Sequence, residues 1–269
     1  MLSASTIRLQ IESKLAHRIP AALTPAQRIL RPVAPTGVPE VDELLDGGLP
    51  IGEITEMVGA ESSGLTSLAL SCVSRSTQEG RVCAWIDGND ALHVESAAAA
   101  GVDLPRLLWV RCGVRAEATQ IAQKSRLCVR GAKPWARIEQ ALAATDLLLQ
   151  GGGFSITVLD MGGIPPEYLS RIELSIWFRY RAAVERTQAS LVLLTQYPCA
   201  KSAGALLLRL HLGSALFNEK TVFTGIEHHL EIERRRFAAN VSNVIPLRKV
   251  PQRENSAHWQ SQPAWAGAR

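Results

Sequence analysis

The chain has 269 residues, of which 46% are apolar and 20% charged, with 20 Gly and 14 Pro. This is an ordinary globular composition and excludes collagenous, coiled-coil and wholly disordered chains. The net charge of +4 permits an acidic partner without demanding one.

Residues 1–30 place Ile7, Ile11 and Leu15 at helical spacing, with Arg8, Glu12, Lys14 and Arg18 elsewhere on the wheel and Pro20 and Pro25 ending the pattern. This predicts a short amphipathic arm, too small to fold alone. It packs on its own domain or docks on another chain. Residues 31–250 then alternate strand-like and helix-like segments. The pattern predicts strands over 51–58, 82–87, 107–112, 155–160 and 191–196. Helices are predicted over 66–78, 90–100, 135–150 and, from the Pro165-Pro166 pair, a long one to about 186. Such alternation predicts an α/β fold with a mostly parallel sheet covered by helices on both faces. From about residue 206 the apolar residues alternate with polar ones, over 208–212, 221–223 and 229–235, which predicts antiparallel strands at the sheet edge. Residues 251–269 are polar, with isolated Trp259 and Trp265, and are expected to form a mobile tail.

The five cysteines are scattered, no two closer than Cys72 and Cys83, so no zinc spacing exists and reduced thiols are expected. No apolar run reaches the ~18 residues of a membrane span, and the N-terminus lacks a signal-peptide core. A cytoplasmic protein with no membrane partner is expected.

The segment richest in chemistry is Gly59-Ala60-Glu61-Ser62-Ser63-Gly64-Leu65-Thr66, between a predicted strand and a predicted helix. That is the context of a phosphate-binding loop, G-x-x-x-x-G-K-[ST], in which backbone N–H groups and a helix N-terminus face phosphate oxygens. Gly59 and Gly64 stand at the glycine positions and Thr66 at the hydroxyl that would hold magnesium. Leu65 stands at the lysine position. A charge-assisted hydrogen bond contributes ~1.5–3 kcal/mol, so the change should weaken nucleotide binding roughly tenfold to a hundredfold. No Lys occurs between Lys14 and Lys124 to replace it.

Around this loop, Pro35-Thr36-Gly37, Val41-Asp42-Glu43-Leu44-Leu45, Gly47 to Gly52 and Ile54-Thr55-Glu56 precede it, and Cys83-Ala84-Trp85-Ile86-Asp87 follows it. Together they resemble the core of the RecA-type recombinases, most clearly over residues 35–110. The resemblance implies a RecA-like P-loop core spanning 31–250, with ATP and Mg2+ bound if the site is retained. The nucleotide site would then comprise Gly59, Glu61, Ser62, Ser63, Gly64, Leu65, Thr66, the magnesium-side Asp160 and the nucleotide-sensing Gln196. It also shows departures. The family's catalytic glutamate falls at Asn89, which is no carboxylate base, with Asp90 the adjacent substitute. The segments where DNA-binding loops belong, after Asp160 and over 198–204, are short.

Within that lineage the chain is similar to the ImuA family of mutasome accessory proteins in size, in its shortened loops and in Phe178-Arg179-Tyr180-Arg181-Ala182-Ala183-Val184-Glu185-Arg186. This implies a non-catalytic scaffold for damage-induced translesion synthesis that requires no cofactor. Its partners would be an ImuB-like protein, an error-prone polymerase and RecA. The alternatives are a DNA-dependent ATPase or recombinase with an atypical loop, and a cell-division inhibitor of the same lineage. Two basic regions are candidates for weak DNA contact or for plain solvated surface. One contains Arg115, Lys124, Arg126, Arg130 and Lys133; the other joins Arg234-Arg235-Arg236 to Arg248 and Lys249.

Overall fold

The computed structural model describes residues 32–113, 134–218, 222–236 and 255–261, all within one compact unit. The expected arm and the basic residues Arg115, Lys124, Arg126, Arg130, Lys133, Arg248 and Lys249 lie outside the described residues.

A two-stranded pair, β1 (Val33–Ala34) and β2 (Leu49–Pro50), flanks α1 (Pro39–Leu44). The main chain of the fold then runs β3 (Ile54–Gly59), α2 (Leu65–Gln78), β4 (Cys83–Asp87), α3 (Val94–Ala99), β5 (Leu107–Arg111), α4 (Pro134–Gly151) and β6 (Ile156–Asp160). It continues through α5 (Pro166–Leu169), α6 (Leu174–Thr187), β7 (Ser190–Thr195), β8 (Leu206–Asn218), β9 (Val222–Arg235) and β10 (Ser256–Ser261). The eight-stranded sheet has the order β10-β9-β8-β3-β7-β6-β4-β5. Strands β3 to β8 pair parallel wherever they adjoin, and β9 and β10 add antiparallel at one edge.

The apolar runs of the central strands follow from burial on both faces. In β4, Trp85 joins one core cluster and Ile86 the other. Val158 and Leu159 of β6 divide the same way, as do Val192 and Leu193 of β7. Helix α2 buries Leu65, Leu68, Cys72, Val73 and Ser76 at helical spacing. It stops where Gly80, at φ +82°, lets Arg81 N–H reach the Ser76 carbonyl. Helix α6 buries Trp177, Tyr180 and Val184, and the Tyr180 hydroxyl donates to the Leu142 carbonyl at 2.6 Å, tying α6 to α4.

Four expectations are corrected. The helix predicted over 90–100 begins only at Val94, because the Asp87 carboxylate takes the N–H groups of Ala91 and Leu92 and Asp90 is left-handed at φ +57°. The long helix from Pro165 is two helices. Ser170 Oγ donates to the Glu167 carbonyl, closing α5, and Glu173 is extended before α6. The edge strands are longer than predicted, and β8 pairs parallel with β3 over its first five residues while pairing antiparallel with β9 on its other side along its whole length. Finally, the polar tail contains a strand. Ala257 and Trp259 of β10 are buried, alternating with exposed His258 and Gln260, and β10 pairs with β9 from Ser256↔Glu231 to Ser261↔Ile226.

Candidate nucleotide site

In parallel sheets ligands bind beyond the carboxyl ends of the strands, where neighbouring connections diverge. The chain leaves β3 for α2 and re-enters the sheet at β4, beyond β7 and β6. At those strand ends lies a cavity of about 470 Å³. Its wall is formed by Gly59 to Ser62, Gly64 to Ser67, Asn89, Ala91, Asp160, Gly162, Gly163, Leu194, Ile226 and His228. Of the expected site residues, Gly59, Glu61, Ser62, Gly64, Leu65, Thr66 and Asp160 line it. Ser63 is buried behind it, and Gln196 lies half-buried at the end of β7, outside the lining.

Gly64 is the residue before α2 and has φ +94°, a conformation that side chains resist. The first-turn N–H groups of α2 have no acceptor within the helix, and no side chain caps them. A Cβ at Gly59 would lie 2.4 Å from Ser63 Oγ, and one at Gly64 would lie 2.5 Å from His228 Nδ1. Both glycines are therefore required by close approach. Leu65 does not extend into solvent. It is 9% exposed and joins the core cluster of Leu68, Leu194 and Leu210. The Thr66 hydroxyl is on an exposed residue of the wall.

The opposite wall is held by carboxylates. Fully buried Asp87 accepts from the N–H groups of Asn89 (3.2 Å), Ala91 (3.0 Å) and Leu92 (2.9 Å) and from Trp109 Nε1 (3.3 Å). Asn89 turns its amide oxygen to the N–H groups of Gly162 (3.1 Å) and Gly163 (2.9 Å). Asp160 Oδ1 accepts from Gly162 N–H at 3.0 Å. Burial pushes the Asp160 carboxyl up to about 6; the Gly162 N–H opposes this, and the Asp87 charge adds to it. Asp90 is no substitute base in this geometry. It is absent from the wall and forms a two-point pair with Arg111, at 2.6 and 2.9 Å, which holds its carboxyl below the usual range.

The segment after Gln196 is pinned. Buried Glu56 of β3 accepts the N–H groups of Cys199 (2.5 Å) and Ala200 (3.1 Å), and a short 3-10 turn follows over Lys201–Ala203. The Arg234-Arg235-Arg236 run is engaged within the chain. Arg234 lies 3.9 Å from Glu56, Arg235 pairs with Asp46 at 3.1 Å, and Arg236 donates to the Ser202 carbonyl at 3.2 Å. Cys72, Cys83, Cys112 and Cys199 are buried free thiols. Among the described residues no helix is long and apolar enough to cross a membrane.

The site therefore retains a backbone cradle, a hydroxyl and a carboxylate of the kinds that hold a phosphate and its magnesium. Among the described residues no lysine lines it. Sequence reasoning missed His228 and the Gly162-Gly163 turn as wall residues, because nothing in their local spacing marks them.

Residues 10–131 match the model of the RecA N-terminal domain. Protein RecA of Ruegeria pomeroyi is 37% identical over 114 residues, covering 42% of this chain and 26% of that protein. Protein RecA of Brucella anthropi is 30% identical over 177 residues, covering 60% and 43%. The chain thus spans about a quarter to two fifths of the length of these curated relatives. Its fold is similar to the crystal structure of the RadB recombinase, with TM-score 0.54 at 16% identity over 87% of this chain and 98% of that one. The chain is thus similar in sequence to RecA proteins around its phosphate loop, and similar in fold to the RadB recombinase over most of its length.

Proposed function

We propose that the chain is a RecA-like accessory protein of the ImuA type, which holds a nucleotide phosphate without turning it over and serves as a scaffold in damage-induced translesion synthesis. Its partners would be an ImuB-like protein, an error-prone polymerase and RecA. The observation that carries the non-hydrolytic part is the state of the two positions on which turnover depends. Leu65 is packed into the core where a lysine would reach phosphate, and Asn89 is committed to the Gly162-Gly163 turn where a carboxylate would activate water. When bound, Mg2+ neutralises phosphate charge; Thr66 and Asp160 are the residues that would hold it. The scaffold part is supported by the likeness in Phe178 to Arg186 and by the pinned segment after Gln196, which shortens the region where recombinases engage DNA.

The test is ATP hydrolysis by the purified chain with and without single-stranded DNA, beside a Leu65→Lys, Asn89→Glu double variant. No turnover by the wild type is expected. Turnover that rises with DNA would overturn the reading in favour of a RecA-like ATPase. Capture with purified ImuB-like protein and RecA tests the scaffold part separately.

A further inference from the structure

His228 belongs to β9, two strands away from β3, yet it forms part of the phosphate-loop wall. It is 2% exposed. Its ring stacks on Trp259 of β10, with centroids 4.9 Å apart and planes at 21°, and its Nε2 is 2.8 Å from Ser261 Oγ. These two contacts fix the ring's tilt and direction, leaving Nδ1 facing Gly64. Among the described residues Nδ1 makes no well-formed hydrogen bond, although the Ser63 backbone approaches the ring. A buried polar atom without a partner is rare and calls for a reason, and here the atom faces the start of a 14-residue helix whose leading N–H groups are uncapped. An aromatic face beneath the ring also favours a charged imidazolium.

We propose that His228 is the phosphate-holding side chain of this loop, donating from Nδ1 to an anionic phosphoryl oxygen in the region that P-loops otherwise serve with lysine. This rests on the reading that the loop binds nucleotide phosphate. When Nε2 donates to Ser261, neutral His228 presents a bare lone pair at Nδ1. One added proton turns that atom into a charged donor. Burial pushes the His228 pKa down, and the nearby Ser63 backbone works the other way, so the free ring is neutral at pH 7. An anion beside it raises its proton affinity, and binding therefore strengthens as pH falls. The charged groups that share its wall are Glu61 of the loop and Asp160 of β6; its strand neighbours Glu227 and His229 take the opposite face, where His211 of β8 and His258 of β10 stack on His229. Asp160 also loses its proton in this range and repels an anion, so the contribution of His228 is read as a difference between variants.

The experiment titrates inorganic pyrophosphate, without metal, into the full chain by calorimetry near pH 6 and near pH 8. Wild type, Asp160→Asn and Asp160→Asn combined with His228→Gln are compared. In the Asp160→Asn protein, binding should be roughly tenfold or more tighter near pH 6 than near pH 8. The added His228→Gln change should remove most of that gain. A combined variant that binds as tightly as Asp160→Asn near pH 6 overturns the proposal, as does absence of binding by the wild type at both values. If His228→Gln does not fold, proton uptake by the Asp160→Asn protein on binding sulfate, an anion that does not itself titrate near pH 7, measured in two buffers of different ionisation heat, decides. About one proton taken up per sulfate near pH 7 supports the proposal, and none overturns it. ATP turnover in the same preparations would break the non-hydrolytic reading while leaving the test of His228 intact.

Discussion

On the phosphate-loop side of the cavity the polar atoms have capacity to spare. Ser63 Oγ and His228 Nδ1 are buried without partners among the described residues, and the first turn of α2 is uncapped. At the end of β4 and in the turn beyond β6, Asp87, Asn89 and Asp90 are spent on the protein itself. Asp87 takes four donors, Asn89 binds two glycine N–H groups, and Asp90 is paired with Arg111. A wall with unspent donors and acceptors suits a ligand; a wall whose groups satisfy one another is architecture. In a hydrolase both walls must act on the nucleotide, and here the two have diverged.

The largest expected effect breaks the saturated wall. Asp87→Ala leaves three backbone N–H groups and the Trp109 indole N–H without their acceptor, and should destabilise by about 3–5 kcal/mol in urea unfolding. A loss below about 1 kcal/mol would mean that the wall is not held by Asp87.

Next comes the pH dependence of Asp160, measured without Mg2+. Its carboxyl sits at about 6 in the folded chain, up from the ordinary 3.8, so the native state holds the proton more tightly than the unfolded one. That stabilisation is complete below about pH 4 and is lost as pH rises through about 6. It amounts to up to about 3 kcal/mol. Across this window wild type should lose stability relative to Asp160→Asn, which keeps an oxygen for the Gly162 N–H. Parallel stability curves would show that Asp160 is not held protonated by its burial.

The smallest effect sharpens the comparison. Ser63→Ala removes a buried hydroxyl that has no partner, and should leave stability within about 0.5 kcal/mol of wild type or raise it slightly. A loss above about 1 kcal/mol would show the hydroxyl to be engaged and would place the loop with the saturated wall.

Much of this was legible in the chain order. Strands appear where apolar residues run continuously, because β4, β6 and β7 are buried on both faces, and the phosphate loop announces itself by glycines at positions that only glycine tolerates. The misjudged segments share a cause. The start of α3, the break between α5 and α6, and β10 are decided by partners distant in sequence or by side-chain hydrogen bonds to backbone, such as those of Asp87 and Ser170, which periodicity does not register. Trp259 read as an isolated aromatic in a polar tail. It is buried because β9 offers it an edge to pair with, opposite His228.

The same division holds for the site. The sequence alone determined that a phosphate loop stands between a strand and a helix, with leucine at its lysine position and asparagine where a carboxylate is expected, since these are properties of neighbouring residues. Only the tertiary structure decided where Leu65 went, what Asn89 binds, and that His228 faces Gly64. The side-chain period of a strand gives His228 and His229 opposite faces. It does not say which face meets the loop, because that depends on sheet order, and sheet order is set by packing across the whole fold.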